Sequence, residues 1–407
     1  MDLIVRNARL AGGETGPVDI GVERGRIAAV GAGLAAEGES YDVAGRLVCA
    51  GLIETHIHLD KSRIIDRCAP EEGREARAVA RVAAVKHSFS VEDVHARARQ
   101  TLEQAIAHGT TRMRTHVEVD PGVGLRGFDG VQALVDEYAW AIDLEICVFP
   151  QEGLTNNPGT EELMIAALRR GARVIGAAPG YDTDHGAHSR RVFELAREFD
   201  VDIDMHLDFG NDTDLDLPLV CDLTEQYKLG GRVAVGHATK LALVPPAELA
   251  GIARRLADVG VAVTVLPATD LFLMGRDRDH AVRRGVADAN FLVEHGVNCS
   301  LSSNNILNPF TPLGDCSLLR IANLQANVAQ ISGPARLAEC FHMLTARSAR
   351  LMNLADYGIA VGNPADLVVL DAESPEQAVA EIREPLAVFK RGRRTVTRHP
   401  VELHRPQ

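Results

Sequence analysis

The stretch "LVCAGLIETHIHLD", Leu47 to Asp60, decides how this chain is read. It is an apolar run that ends in two histidines spaced i and i+2. Continuous apolar runs suit parallel strands covered on both faces. Along a strand, residues i and i+2 point to the same face, about 7 Å apart. His56 and His58 can therefore converge on one cation, a task for which a single histidine would be a poor candidate.

Seven similar runs follow: "TTRMRTHVEVD", "LEICVFPQ", "RVIGAAPG", "VDIDMHLDF", "RVAVGHAT", "VAVTVLPA" and "VNCSLSSNN". Amphipathic segments separate them, among them "VEDVHARARQTLEQAIAHG", "TEELMIAALRRG" and "PPAELAGIARRLADVG". Eight apolar strands alternating with helices predict a closed (β/α)8 TIM barrel over residues 49–355. The first forty-odd residues are short strand-like runs with glycine-rich breaks, and "NPADLVVLDA" and "LAVFKRGRRTV" near the end resemble them. Residues 1–48 and 356–407 are expected to form a small β-sandwich built from both chain ends.

Composition removes several classes. The chain has 407 residues, 46% hydrophobic and 24% charged, an ordinary globular composition. A net charge of -13 argues against nucleic acid or an anionic membrane as partner. No run of eighteen apolar residues is present, and "MDLIVRNARL" lacks a basic region followed by an apolar one. A cytoplasmic address is the default expectation. The seven cysteines form no C-x-x-C pair and most lie in apolar surroundings, so they read as reduced core residues.

In such barrels the chemistry comes from the C-terminal ends of the strands. The fifth strand ends with His206, the sixth with His237, the second with His116, Glu118 and Asp120, and the third with Gln151. Any one of these histidines alone would more often be a hydrogen-bonded core residue. Several at equivalent strand ends point to a site. For His116 both a structural and a substrate-facing role stay open. Gln151 offers one acceptor and two donors, which suits the edge of an amide-like ring, although a solvated loop residue fits equally.

These residues, with "GLIETHIHLDKS", "FPQEG" and "NNILNPFTPLG", resemble the amidohydrolase superfamily. More narrowly they are similar to its cytosine deaminase branch, which includes the N-isopropylammelide aminohydrolases. The resemblance covers nearly the whole chain. It implies a hydrolase of a C–N bond in a small nitrogen heterocycle, working with one divalent metal, zinc first, with iron or manganese as alternatives. His56, His58 and His206 inherit the metal, His237 the polarisation of the attacked carbon, and Gln151 the contact with the substrate ring. The fourth strand ends "AAPGYDTDH" without the lysine that bridges two metals in other members, so one ion is expected. A homo-oligomer is also implied.

Two departures bear on the chemistry. Where the family carries a proton-shuttling glutamate three residues after the fifth-strand histidine, this chain has Phe209, with Asp208 beside it. Where the family has a metal-binding aspartate on the eighth strand, it has Asn304, followed by Asn305. An asparagine can offer a carbonyl oxygen but cannot take a proton near neutral pH. The general base must then be His237, or after it Asp208 or Glu118. Three neutral histidines also leave the metal's charge uncancelled, which favours ionisation of bound water near neutrality. Without the glutamate, cytosine itself is a poor substrate.

Around the mouth, Asn305 and Phe209 are expected to touch substrate, and Lys61 to meet an anionic group on it. Asp60 is a candidate to orient a histidine, and Lys61 to Arg74 a lid. "GRDRDHAVRRG" reads as a solvated basic loop. Two other readings stay open: a ring-opening hydrolase of a cyclic amide or urea, and a catalytically silent barrel that binds a small molecule.

Overall fold

The computed structural model describes residues 1–11, 16–35, 38–68, 77–399 and 401–404. The chain opens with β1 (Leu3–Leu10), β2 (Val18–Glu23), β3 (Arg26–Gly31), β4 (Glu39–Asp42) and β5 (Leu47–Ala50). It then builds eight barrel strands: β6 (Leu52–Ile57), β7 (Thr110–Glu118), β8 (Asp143–Phe149), β9 (Val174–Ala177), β10 (Asp202–Leu207), β11 (Val233–His237), β12 (Val261–Val265) and β13 (Cys299–Leu301). It ends with β14 (Leu367–Leu370), β15 (Pro385–Lys390) and β16 (Arg393–Thr397).

β6 to β13 pair in sequence order, every neighbour parallel. The ring closes between its ends. Ile57 bridges Asn304, the His58 amide donates to the Asn304 carbonyl at 2.9 Å, and the Asn304 amide donates to the His56 carbonyl at 2.9 Å. The closure thus places the two ends of the candidate site side by side. This is the expected (β/α)8 barrel, its strands largely buried for the reason their composition suggested. The helix Val91–Ala107 starts at Ser90, whose side chain accepts from the Asp93 amide.

The remaining strands form one path, β16-β15-β14-β5-β1-β2-β3, with β4 pairing parallel to β1 off this path. Its core joins both chain ends: Leu3, Val5 and Ile20 pack in one cluster with Leu367, Val369 and Phe389. β15 and β16 are joined at Arg391 and Gly392, which both have positive φ (48° and 73°), the requirement of a tight two-residue hairpin turn.

The opening stretch is two strands rather than one. β5 pairs with β14 in the terminal sheet, and β6 pairs with β7 in the barrel. The break is Gly51, where a Cβ would lie 1.9 Å from Thr111 Oγ1, so only glycine lets the chain cross between the two layers. The expected junction between residues 48 and 49 therefore falls inside β5. Of the expected lid, residues 69–74 lie outside the described residues. Residues 61–68 are turns with Lys61, Ser62, Ile64 and Cys68 buried, a packed segment against the barrel.

Candidate metal centre and its cavity

β6 directs His56 and His58 inward, and β10 brings His206 against them. His206 Nε2 lies 3.2 Å from His56 Nε2 and 3.0 Å from His58 Nε2. Burial is the main force that keeps all three imidazoles neutral, holding His56 down to about 3 and His58 and His206 well below their ordinary value. Three neutral nitrogens aimed at one point are a poor packing of lone pairs, and a donor set that a soft-to-borderline divalent cation would satisfy. Ligands at ~2.0–2.1 Å in a tetrahedron would stand about 3.3 Å apart, close to the spacing seen. Asn304, whose backbone pairs with His56 and His58, has its Oδ1 buried without a hydrogen-bond partner. The residues present fit a metal.

His237 ends β11 next to this cluster. Its Nδ1 is paired with Asp270 Oδ1 at 2.6 Å, and its Nε2 lies 3.5 Å from Asn304 Nδ2. Asp270 is fully buried on the short helix Pro267–Leu273 that follows β12. Burial raises its carboxyl against the opposing pull of His237. The pair holds the imidazole in one orientation with Nε2 toward the site. His237 and Asn304 both adopt left-handed backbone (φ 72° and 61°), as does Asp208 (φ 50°). Such conformations are uncommon outside glycine and cluster at sites where the chain must aim a side chain.

A cavity of about 220 Å³ opens on this centre. His58, His206, His237 and Asn304 form its floor, with Gln151 and Asn305 on its walls. Tyr181, Phe209, Leu273 and Phe310 supply apolar surface. Phe209 meets the His237 ring edge-on at 5.1 Å and is 37% exposed. His185, Asp216 and Lys240 stand nearer the opening, with His185 Nδ1 paired to Asp216 at 2.9 Å.

Several expected residues are elsewhere. Asp208 borders the cavity, but its two oxygens accept the amides of Asp216 (2.7 Å) and Leu217 (3.1 Å) at the start of the helix Leu217–Tyr227. Its carboxylate serves as a helix cap, which leaves it badly placed as a base. His116 is fully buried behind His56, stacked on it at 3.8 Å between ring centres, and does not line the cavity. Substrate contact is thus not the place its geometry gives it. Lys61 is likewise buried, 2.7 Å from Glu118 and 3.2 Å from Gln151 Oε1. It stands behind Gln151 instead of facing the substrate space. Glu118 is held by Lys61 and by Lys86, which also binds Asp120 and Glu152, so it is not free to act as a base.

Asp60 accepts from the Glu118 amide at 2.9 Å and bonds no histidine of the site. Asp204 is the carboxylate that stands behind His56 instead. Its Oδ1 lies 3.5 Å from both His56 Nδ1 and His116 Nε2, and its Oδ2 accepts from Arg114 at 3.0 Å. Burial alone would raise this carboxyl, and the two imidazoles hold it well below its ordinary value. Asp204 and Asp270 were missed in the sequence. The available signal for Asp204 was its spacing, two residues before His206 on the same strand face.

Known proteins share this fold. A family model described as "Amidohydrolase family" matches residues 134–396. The chain belongs to the amidohydrolase family. It is similar to an N-isopropylammelide isopropyl amidohydrolase of Pseudomonas sp. (strain ADP), 28% identical over 407 residues and 96% of each chain. Among solved structures it is similar to a 5-methylcytosine deaminase from Klebsiella pneumoniae liganded with 5-fluorocytosine (TM-score 0.94, 28% identity, 99% of each chain). It is also similar to the N-isopropylammelide isopropylaminohydrolase from Burkholderia multivorans ATCC 17616 (TM-score 0.85, 26% identity, 97% of this chain and 98% of that one). This amidohydrolase is therefore a deaminase-like hydrolase of C–N bonds.

Proposed function

We propose that this amidohydrolase uses one divalent ion, zinc first, to hydrolyse an exocyclic C–N bond of a small nitrogen heterocycle, releasing ammonia or an amine. The observation that carries the reading is the convergence of His56, His58 and His206, with 3.0 and 3.2 Å between their Nε2 atoms. These three would hold the ion, with Asn304 Oδ1 as a neutral fourth donor. The ion would supply Lewis acidity and make water easier to ionise near neutral pH.

The chain's own groups do the rest. His237, held by Asp270, takes up and returns a proton through Nε2 beside the reacting carbon. Gln151 and Asn305 hold the ring by its edge, while Phe209, Tyr181 and Phe310 exclude water from one side of the cavity and favour an apolar substituent or ring face. Phe209 offers no proton to a ring nitrogen, which argues against cytosine. The seven cysteines, all buried and unpaired, support a reducing cytoplasmic address. A homo-oligomer rests on the resemblance alone.

The test is metal analysis of the purified protein, followed by a screen of pyrimidines, triazines, imidazolones and hydantoins with the zinc-loaded form. Ammonia or amine release with the ring absorbance retained is the expected result. Loss of ring absorbance without ammonia or amine would favour ring opening. Less than about one-tenth equivalent of metal, with His56→Ala folding normally and no turnover, would overturn the enzymatic reading.

A further inference from the structure

Resting on that reading, we infer that the site selects a ring whose recognised edge carries hydrogen-bond acceptors, such as an imide-type dioxo ring, over one that presents amino groups there. The argument lies in which end of each wall amide is already engaged.

A side-chain amide can face a ligand with its oxygen or with its NH2, and the surrounding donors and acceptors decide which. Behind Gln151 stands the Lys61 ammonium, which can only donate. It lies 3.2 Å from Gln151 Oε1 and is itself held by Glu118 at 2.7 Å. Turning the amide over would set an NH2 against an ammonium. Gln151 therefore keeps its oxygen inward, and its Nε2 has no protein partner among the described residues.

A second chain of bonds orients Asn305, and it starts from backbone. The amides of Phe310 (3.0 Å) and Thr311 (3.2 Å) both donate to Asn308 Oδ1. Asn308 must then point its Nδ2 the other way, where it donates to the Lys61 carbonyl (3.2 Å) and to Asn305 Oδ1 (2.8 Å). That leaves Asn305 Nδ2, like Gln151 Nε2, without a protein acceptor among the described residues. Both residues line the cavity and are nearly closed off from solvent, Gln151 5% and Asn305 3% exposed. Both NH2 groups reach the cavity, and once a ligand displaces water from them a donor left unpaired is unfavourable, so a ligand that brings acceptors to both is preferred.

The bordering carboxylates do not offset this. Asp208 has both oxygens on backbone amides, and Asp216 is paired with His185 near the opening. Phe209 supplies no acceptor. The wall that meets the ring edge is thus donor-rich on two independent elements, the loop after β8 and the loop after β13.

The test uses two pyrimidines of matched size. Uracil presents acceptor, donor, acceptor along its edge, and 2,4-diaminopyrimidine presents the reverse. Calorimetric titration of zinc-loaded protein at pH 8.5 is expected to show uracil bound at least ~10-fold more tightly. Asn305→Asp, which keeps the oxygen facing Asn308 and replaces the free NH2 by an acceptor, is expected to shift the ratio by ~10-fold or more toward the diamino ring. Gln151→Glu should shift it the same way, which guards against one variant that fails to fold. Equal binding, absence of binding by either ring, or unchanged ratios in both variants would overturn the inference. Because the readout is binding, a preference for uracil with no turnover of any heterocycle in the screen above would sink the hydrolase reading and leave this one standing. Turnover with a preference for the diamino ring would do the opposite.

Discussion

His237 Nδ1 sits 2.6 Å from Asp270 Oδ1, and that one contact turns the imidazole's other nitrogen toward Asn304 and the histidine cluster. The carboxylate is buried and has no competing cation within bonding reach among the described residues. Asp270→Asn keeps the shape and offers either an NH2 or a neutral oxygen to Nδ1, so the imidazole loses both its fixed tautomer and its counter-charge. We expect kcat to fall ~10²–10⁴-fold, the range of general acid–base contributions, with metal content unchanged. Steady-state kinetics and metal analysis of the same sample check this.

The convergence of His56, His58 and His206 predicts a coupling between metal and stability. A ligand that binds only the folded state adds RT ln(1 + [L]/Kd), about 2.7 kcal/mol at a hundred-fold excess over Kd. Zinc should therefore raise the Tm of the chelator-stripped protein by several degrees. His206→Ala should abolish that rise while leaving a cooperative unfolding transition. Thermal scans with and without zinc decide it.

Asn304 carries no charge, and its Oδ1 is buried without a partner. Asn304→Asp would add a negative charge at the same place, close to the histidine nitrogens. We expect zinc affinity to rise at least ~10-fold, as a carboxylate is the stronger ligand for a divalent ion. Competition against a chromophoric chelator measures it, and an unchanged or weaker affinity would show that residue 304 lies outside the metal's reach.

Glu118 sits between two ammoniums, Lys61 and Lys86, at 2.7 Å from each. Burial alone would raise its carboxyl, but the two lysines hold it down at about 2, below its ordinary 4.5. A depressed folded-state value stabilises the fold above about pH 4.5 and ceases to do so as pH falls toward 2. Urea unfolding should show stability declining across that window. Glu118→Gln should flatten the decline and cost roughly 3–5 kcal/mol at pH 7, since it leaves the buried Lys61 ammonium without its carboxylate partner while Lys86 keeps Asp120 and Glu152.

The architecture was legible in the sequence because it rests on local pattern. Eight apolar runs such as "RVAVGHAT" and "VAVTVLPA" are what a strand buried on both faces requires, and the helices between them show amphipathic spacing. The pair His56 and His58 was legible for the same reason, since a two-residue period places both on one face of β6. Gly51 was harder to read. The apolar run continues through it, and only the approach of Thr111 shows why the chain must break there and move from one sheet to the other.

What the sequence by itself determined was therefore the barrel and the strand ends that carry polar groups. What only the tertiary structure decided was direction. His116 and Lys61 are polar residues at strand ends, yet they face behind the site, toward Asp204 and Glu118. Asp208 is adjacent to the site in sequence but is turned by its positive φ onto a helix terminus. Asp270 comes from a helix 33 residues past His237 and still forms its closest polar contact. Such pairings depend on strand stagger, barrel closure and a few left-handed backbone angles. These properties of the closed chain leave no periodic trace in the order of its residues.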